Sequence, residues 1–321
     1  GDLCGSSFPN AIGGWNQRRQ RHYVYYESPA GGNGGLSDAD GPSAFVNVDF
    51  GNLPSIHNVE AIENEMPLLV ESCSLREDGG GAGKFRGGVG MIRRIRLLDE
   101  EGQYSVLSDR AVIPPWGVLQ GGPGKPYALS LERDGEQRGF DTPGKVSGYP
   151  IRQGDVVVIR SSGGGGYGDP LERDAELVRA DVVRGYVSAG AAAELYGVVL
   201  SESGSVDPAA TASCRTRLAS LRVRFSIKTD DTLDPYVGAK GRRRVVTLDP
   251  ADAQALGLGT DDLVEMLGRH PAPLRAWVRI DAGRAGEIRL DAFGRSVLGV
   301  EHGDSVQIRA VPIPQLVNGW A

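Results

Sequence analysis

The chain has 321 residues, 24% of them charged, and a net charge of −6. That length buries a real core and accommodates two domains or more. Lys and Arg are scattered apart from Arg242, Arg243 and Arg244, which argues against the basic face of a nucleic-acid binder. No apolar run approaches the length of a membrane span and nothing at the start reads as a signal peptide. Three widely spaced cysteines, Cys4, Cys73 and Cys214, form neither a disulfide framework nor a metal knuckle, so a reducing cytoplasm is the expected compartment. The first residue is Gly1 rather than Met, which leaves a cleaved precursor, an expression scar and a truncated start all open.

Glycine is 47 of the 321 residues, about twice ordinary usage. Its clusters are bounded by Val, Ile, Leu and Tyr, a pattern that predicts many strands joined by tight turns. In chain order, the β-branched and aromatic run 22–26 (HYVYY) predicts a strand running into the side-chain-poor loop 29–35 (PAGGNGG). Residues 57–66 predict a helix with Val59, Ile62 and Met66 at helical spacing and Asn58 as its cap. Strands follow at 67–76, 91–98, 104–108, 127–132 and 155–160. Their separators are GGGAGKFRGGVG (79–90), PPWG (114–117) and GGPGKP (121–126), consistent with a curved antiparallel or barrel-like body. Residues 171–183 predict an amphipathic helix with Leu171, Leu177, Val178 and Val182 as its stripe, and Ser188 caps a second at 189–196. The polar stretch 201–240 reads as a linker or peripheral arm containing a short helix at 208–221.

The tail repeats itself. At a constant offset of 42 residues, 246–266 (VTLDPADAQALGLGTDDLVEM) matches 288–308 (IRLDAFGRSVLGVEHGDSVQI), pairing Asp249 with Asp291, Leu256-Gly257 with Leu298-Gly299 and Asp262 with Asp304. Two copies of strand, turn and strand imply a duplicated unit with pseudo-twofold symmetry, resembling a small six-stranded double-psi barrel. The turn Gln153-Gly154-Asp155-Val156-Val157 is a third copy outside the repeat.

Candidate chemistry is sparse. Tyr26 and Glu27, at a strand end beside a glycine loop, are an acid/base pair or substrate contacts on one reading, and packing and loop capping on the other. Arg86, among glycines, either reaches a carboxylate or phosphate or braces a turn. Asp109-Arg110 fits an ion pair between strands better than a catalytic dyad. His57, Glu60 and Glu63 share a helical face better explained by solvation than by metal. Cys4 has no histidine partner and reads as a packed thiol. The run 163–166 lacks the Lys-Ser/Thr of a P-loop, so packing against a partner subunit is expected rather than phosphate cradling.

Five blocks in order resemble the hydantoinase B family, shared by N-methylhydantoinases, 5-oxoprolinases and acetone or acetophenone carboxylases: YYESPAGGNGG (25–35), VEAIENEMPLLVE (59–71), GGGAGKFRGGVGMIRRI (79–95), LSDR (107–110) with PPWGVLQGGPG (114–124), and the block at 163–200 that opens GGGGYGDP. The resemblance covers about residues 1–200. It implies a subunit or half-subunit of an ATP-dependent cyclic amide hydrolase, working with a hydantoinase A-like chain that holds ATP and Mg2+. A ketone carboxylase subunit and a non-catalytic assembly subunit are the alternatives. Site residues carried by the resembling blocks are Tyr26, Glu27, Arg86, Asp109 and Arg110, with no metal ligands in this chain. A divalent ion, Zn or Mn, would belong to an N-terminal half supplied by another chain. The family's histidine cluster is replaced by Val46 to Asn52, with His57 nearby. The expected fold is therefore α+β and β-rich. A glycine-rich multi-stranded body with a short helical segment fills 1–200 and a linker or arm 201–240, followed by a small double-psi-like barrel at 241–314 and a tail at 315–321.

Overall fold

The computed structural model describes residues 1–5, 9–45, 57–234, 236, 243–283 and 285–313. The body begins with strands β1 (Asn10–Asn16) and β2 (Arg21–Glu27), helix α1 (Val59–Glu65), and strands β3 (Leu68–Leu75), β4 (Met91–Leu97) and β5 (Glu101–Leu107). It continues through β6 (Ala128–Arg133), β7 (Glu136–Arg138), β8 (Lys145–Arg152) and β9 (Val156–Arg160). These strands form two sheets, in the orders β2-β1-β5-β8 and β3-β4-β9-β6-β7. Their inner faces meet in one core, with Ile12, Tyr25, Tyr104 and Ile151 from the first sheet and Leu68, Ile95, Leu131 and Ile159 from the second. Alternation places every second residue inward. In β4 this brings Met91, Arg93, Ile95 and Leu97 to the core side, and in β2 Tyr23, Tyr25 and Glu27. Asn58 caps α1 as expected, accepting from the Ala61 amide at 3.2 Å.

The glycine clusters are not turns between strands. Segments 1–5, 31–35, 79–90, 115–125 and 162–168 run alongside one another and bond backbone to backbone. The central run shows the geometry. Gly163 N–H donates to Lys125 O, Gly164 to Gly88 O, Gly165 to Asp2 O and Gly166 to Gly122 O. Ser162 O and Gly165 O accept from Gly32 and Gly35, whereas Gly164 O accepts from Gly81 and Gly166 O from Val118. Positions three apart serve the same neighbouring segment, the period of a threefold extended helix of the polyproline type. A Cβ on Gly165 would lie 1.9 Å from Trp116 O, and one on Gly164 2.0 Å from Asn33 O. No side chain fits between such segments, so these positions require glycine. The expectation that this run packs against a partner subunit is thereby corrected: its neighbours belong to the same chain.

A helical segment follows, with α2 (Ala175–Val183), α3 (Ala189–Tyr196) and α4 (Pro208–Ser220). Ser188 caps α3, its hydroxyl accepting from Ala191 N–H at 3.1 Å. The expected helix at 171–183 is shorter. Pro170–Glu172 form a 3-10 turn, Asp174 caps α2, and Leu177 of the expected stripe is exposed while Val178 is buried.

The second sheet system is a six-stranded barrel, made of β10 (Arg224–Thr229), β11 (Val245–Leu248), helix α5 (Pro250–Ala255), β12 (Leu263–Leu267), β13 (Leu274–Ile280), β14 (Glu287–Leu290), helix α6 (Ala292–Leu298) and β15 (Ser305–Ala310). The order β11-β13-β12-β15-β10-β14 reads symmetrically from its centre, with β11 and β14 in contact across the remaining gap. Parallel β11–β13 corresponds to parallel β14–β10, and antiparallel β12–β13 to antiparallel β15–β10. The 42-residue repeat is legible atom by atom. Asp249 caps α5 and Asp291 caps α6. Gly257 and Gly299 both have φ +64°. Asp262 accepts from Gly259 N–H at 2.7 Å as Asp304 does from Glu301 N–H at 2.9 Å. The barrel starts earlier than expected, because residues 224–229 within the presumed linker pair with β14 and β15.

Candidate functional site

Of the five candidate residues, two belong to the interior. Glu27 and Tyr26 are neighbours in β2, so their side chains lie on opposite faces and cannot act as a pair. Glu27 is 3% exposed. Its carboxylate meets Arg93 Nε at 2.7 Å, accepts from the Tyr25 hydroxyl, and accepts from the His57 amide at 2.8 Å. Arg93 is wholly buried, so the ion pair bridges the two facing sheets inside the core. Burial, reinforced by the Glu27 charge, pushes the Tyr25 phenol far above its ordinary pKa, keeping it a proton donor to Glu27. The sequence signal missed here was Arg93, an inward position of a strand whose charge demands a buried carboxylate.

Arg86 is also buried, at 4% exposure. Its Nε lies 3.4 Å from Asp181, its Nη1 donates to Gly87 O at 2.6 Å, and its guanidinium stacks 4.5 Å from the Tyr186 ring centroid. Asp181 also takes Arg173 Nη2 at 2.8 Å, and Arg173 grips Asp40 at 2.6 and 2.7 Å. This network ties the glycine segments to α2, which makes Arg86 a brace rather than a ligand hook. Cys4 is 1% exposed, and burial pushes its thiol up to about 12. His57 precedes α1 and rests edge-on against the Tyr25 ring, 6.3 Å between centroids.

Asp109 and Arg110 line one groove, and Tyr26 lines an adjoining one. A cavity of about 630 Å³ is walled by Asp2, Asp109, Arg110, Thr142 and Lys145. A second, of about 470 Å³, shares Thr142 and Lys145 and reaches Tyr26 and Ser105. The groove floor is anchored where Ser108 N–H and Oγ both donate to Gly144 O, at 2.8 and 3.1 Å. Gly144 has φ +67°, and a Cβ there would lie 2.3 Å from Ser108 Oγ. The ion pair of Arg110 is with Asp2, at 2.8 Å. Burial raises the pKa of Asp2 above the usual carboxylate range, against the lowering pull of Arg110. Arg110 itself holds φ +56°, an uncommon conformation for a side-chain-bearing residue, and its guanidinium lies 4.8 Å from the Trp116 centroid.

Two cations, two carboxylates and hydroxyls thus face one open groove, a set able to polarise a carbonyl, hold a developing oxyanion and move a proton. Asp2, Thr142 and Lys145 were missed from sequence. The turn dipeptide Pro143-Gly144 in a polar loop was the available signal for the last two. Among the described residues, no three His, Cys, Asp or Glu side chains gather as a metal site, and the 163–166 amides are all bonded to backbone, which leaves no phosphate cradle there. Residues 46–52, where the histidine cluster is replaced, lie outside the described residues. No helix among the described residues is long and apolar enough to cross a membrane.

The glycine layer and both groove walls fall within residues 2–170, the stretch matched by the family model for hydantoinase B/oxoprolinase. The chain belongs to the hydantoinase B/oxoprolinase family. Among its relatives are the caprolactamase subunit beta of Pseudomonas jessenii, 34% identical over 50% of this chain and 28% of the relative, and the acetone carboxylase alpha subunit of Xanthobacter autotrophicus, 25% identical over 75% and 35%. The solved ATP-dependent caprolactamase from Pseudomonas jessenii superposes with a TM-score of 0.56 at 29% identity, covering 67% of this chain and 38% of that one. The chain thus spans about a third or less of these curated relatives.

Proposed function

We propose that the chain supplies one wall of the reaction site in an ATP-dependent cyclic amide hydrolase of the hydantoinase or oxoprolinase type. The observation that carries this is the groove of Asp2, Asp109, Arg110 and Lys145 within the family-matched stretch. ATP and Mg2+ belong to a hydantoinase A-like partner, which activates the amide oxygen. Once that oxygen carries the terminal phosphoryl group and ADP has left, water adds to the amide carbon, Asp2 or Asp109 takes its proton, and Arg110 and Lys145 hold the oxyanion left on the water-derived oxygen. The proton passes to the ring nitrogen as the C–N bond breaks, and a second water releases phosphate from the acyl phosphate. The N-terminal part of the family fold closes the groove and holds any Zn or Mn ion. The small-molecule substrate is a cyclic amide in this reading. A ketone carboxylase is the second reading, supported by the acetone carboxylase relative, which matches 75% of the chain.

The test is reconstitution with the partner chain and the N-terminal part of the fold, ATP and a panel of hydantoin, 5-oxoproline, a lactam and acetone with bicarbonate. ATP-dependent ring opening supports the proposal, and ATP-dependent carboxylation alone supports the second reading. A fully assembled complex that turns over neither class would leave this chain as an assembly subunit.

A further inference from the structure

The barrel touches the body at the loop 114–121, one wall of which is Trp116. Glu265, on β12, is wholly buried. Its Oε1 accepts from Arg275 Nε and Nη2 at 2.8 and 2.6 Å, and its Oε2 from Arg309 Nε and Nη2 at 2.9 and 2.7 Å. The remaining guanidinium donors do not stay in the barrel. Arg275 Nη1 donates to Pro114 O at 2.5 Å, and Arg309 donates to Gln120 O at 3.0 Å and Gly121 O at 2.6 Å. Leu119 N–H adds a bond to Pro271 O at 2.9 Å. The loop is therefore held at both ends and near its middle by the barrel. Leu119 and Gln120 have φ of +51° and +76°, conformations that persist in side-chain-bearing residues only where surroundings impose them.

The same loop builds the groove wall. Trp116 O accepts from the Asp2 amide at 2.9 Å, and the Trp116 ring carries the Arg110 guanidinium at 4.8 Å and the Arg275 guanidinium at 6.0 Å. We infer that the barrel is a positioning module for the groove, with Arg275 and Trp116 as positioning residues that set the Arg110–Asp2 pair. This rests on the groove being the reaction site. Glu265 neutralises and orients two arginines, the arginines fix a strained loop, and the loop fixes the two groove residues through one backbone carbonyl and one ring. Arg275 also contributes charge at Asp2 and opposes the rise in its pKa.

The test labels the full chain with 5-fluorotryptophan, assigns the Trp116 signal with Trp116→Phe, and compares Arg275→Met, Arg110→Met and the double variant. Spectra are taken on the chain and kinetics on the reconstituted complex. Arg275→Met is expected to move the Trp116 signal and lower kcat by about tenfold to hundredfold with little change in KM. The double variant is expected to lose no more than Arg110→Met alone, because both act on one pair. Arg275→Lys, which keeps the cation but loses the fork, recovers part of the loss. Arg289→Ala breaks a pair with Asp230 inside the barrel and should move neither readout. A stationary Trp116 signal, or losses that multiply independently, overturns the positioning role. A moved signal with unchanged turnover keeps the link and instead overturns the groove as the site. Should Arg275→Met fail to fold, Arg309→Met removes the hold on Gln120 and Gly121 and carries the same test.

Discussion

Gly165→Ala is the sharpest perturbation of the glycine layer. The added Cβ would stand 1.9 Å from Trp116 O and 2.4 Å from its carbonyl carbon, both rigid backbone atoms. Relief needs a displacement of one segment by more than an ångström, since ordinary contact begins at 3.4 Å. That shift strains the bonds from Gly165 N–H to Asp2 O and from Gly35 N–H to Gly165 O, both 2.8 Å. Overpacking costs about 1–3 kcal/mol and each lost hydrogen bond about 1 kcal/mol, giving about 3–5 kcal/mol in total. Against an ordinary stability of about 5–15 kcal/mol this is a large fraction. Hydrogen exchange by mass spectrometry in rising urea resolves body peptides from barrel peptides, and the body should open earlier while the barrel is unchanged. Gly139→Ala is the control: nothing lies within 4 Å of its Cβ position, so its effect should stay within about 0.5 kcal/mol. A Gly165→Ala loss below about 1 kcal/mol would refute the packing argument, because overpacking alone should exceed it.

Glu27→Gln leaves Arg93 buried beside a neutral partner and should destabilise the body by about 3–5 kcal/mol in chemical denaturation, while turnover per folded complex is retained. For Asp40, burial raises the pKa but the Arg173 hydrogen bond and charge outweigh it, leaving the folded value depressed. Its stabilisation is then fully present above the unfolded pKa of about 4 and lost as pH falls through the lower folded value. Asp40→Asn should flatten the acid limb of stability below about pH 4, measured by urea midpoints at successive pH values. A fragment spanning 222–313 should melt cooperatively, whereas one spanning 241–314 lacks β10, exposes the edges of β14 and β15, and should not.

Much of the fold was written in the sequence where side chains carry the pattern. Tyr23 and Tyr25 alternate with Val24 and Tyr26, and β2 follows. The duplicated Asp249 and Asp291 caps announced the barrel. The first barrel strand, RFSIKT, was lost in a polar stretch because only Phe225 and Ile227 face the core and its partners lie about 60–80 residues away. Strand β8 escaped notice because Gly148, at φ +59°, and Pro150 interrupt it, both tolerated at a sheet edge beside a register shift. The glycine layer was illegible for a different reason. Local composition reads glycine as a turn, and only the tertiary neighbours reveal that the absence of a side chain is the requirement. At the site, adjacency in sequence misled for Tyr26 and Glu27, since a strand separates neighbours to opposite faces. Asp2 and Arg110 are 108 positions apart, and only the fold brings them together.

The most direct test of the groove as the reaction site is Arg110→Met in the reconstituted complex, with product formation and ATP hydrolysis followed in parallel. Loss of one oxyanion donor should lower product formation by about 10²–10³-fold while ATP hydrolysis on the partner chain continues, so the two uncouple. Product formation within about twofold of the unaltered complex, with assembly intact, would contradict the account, since no group that receives the developing charge is removed at so small a cost.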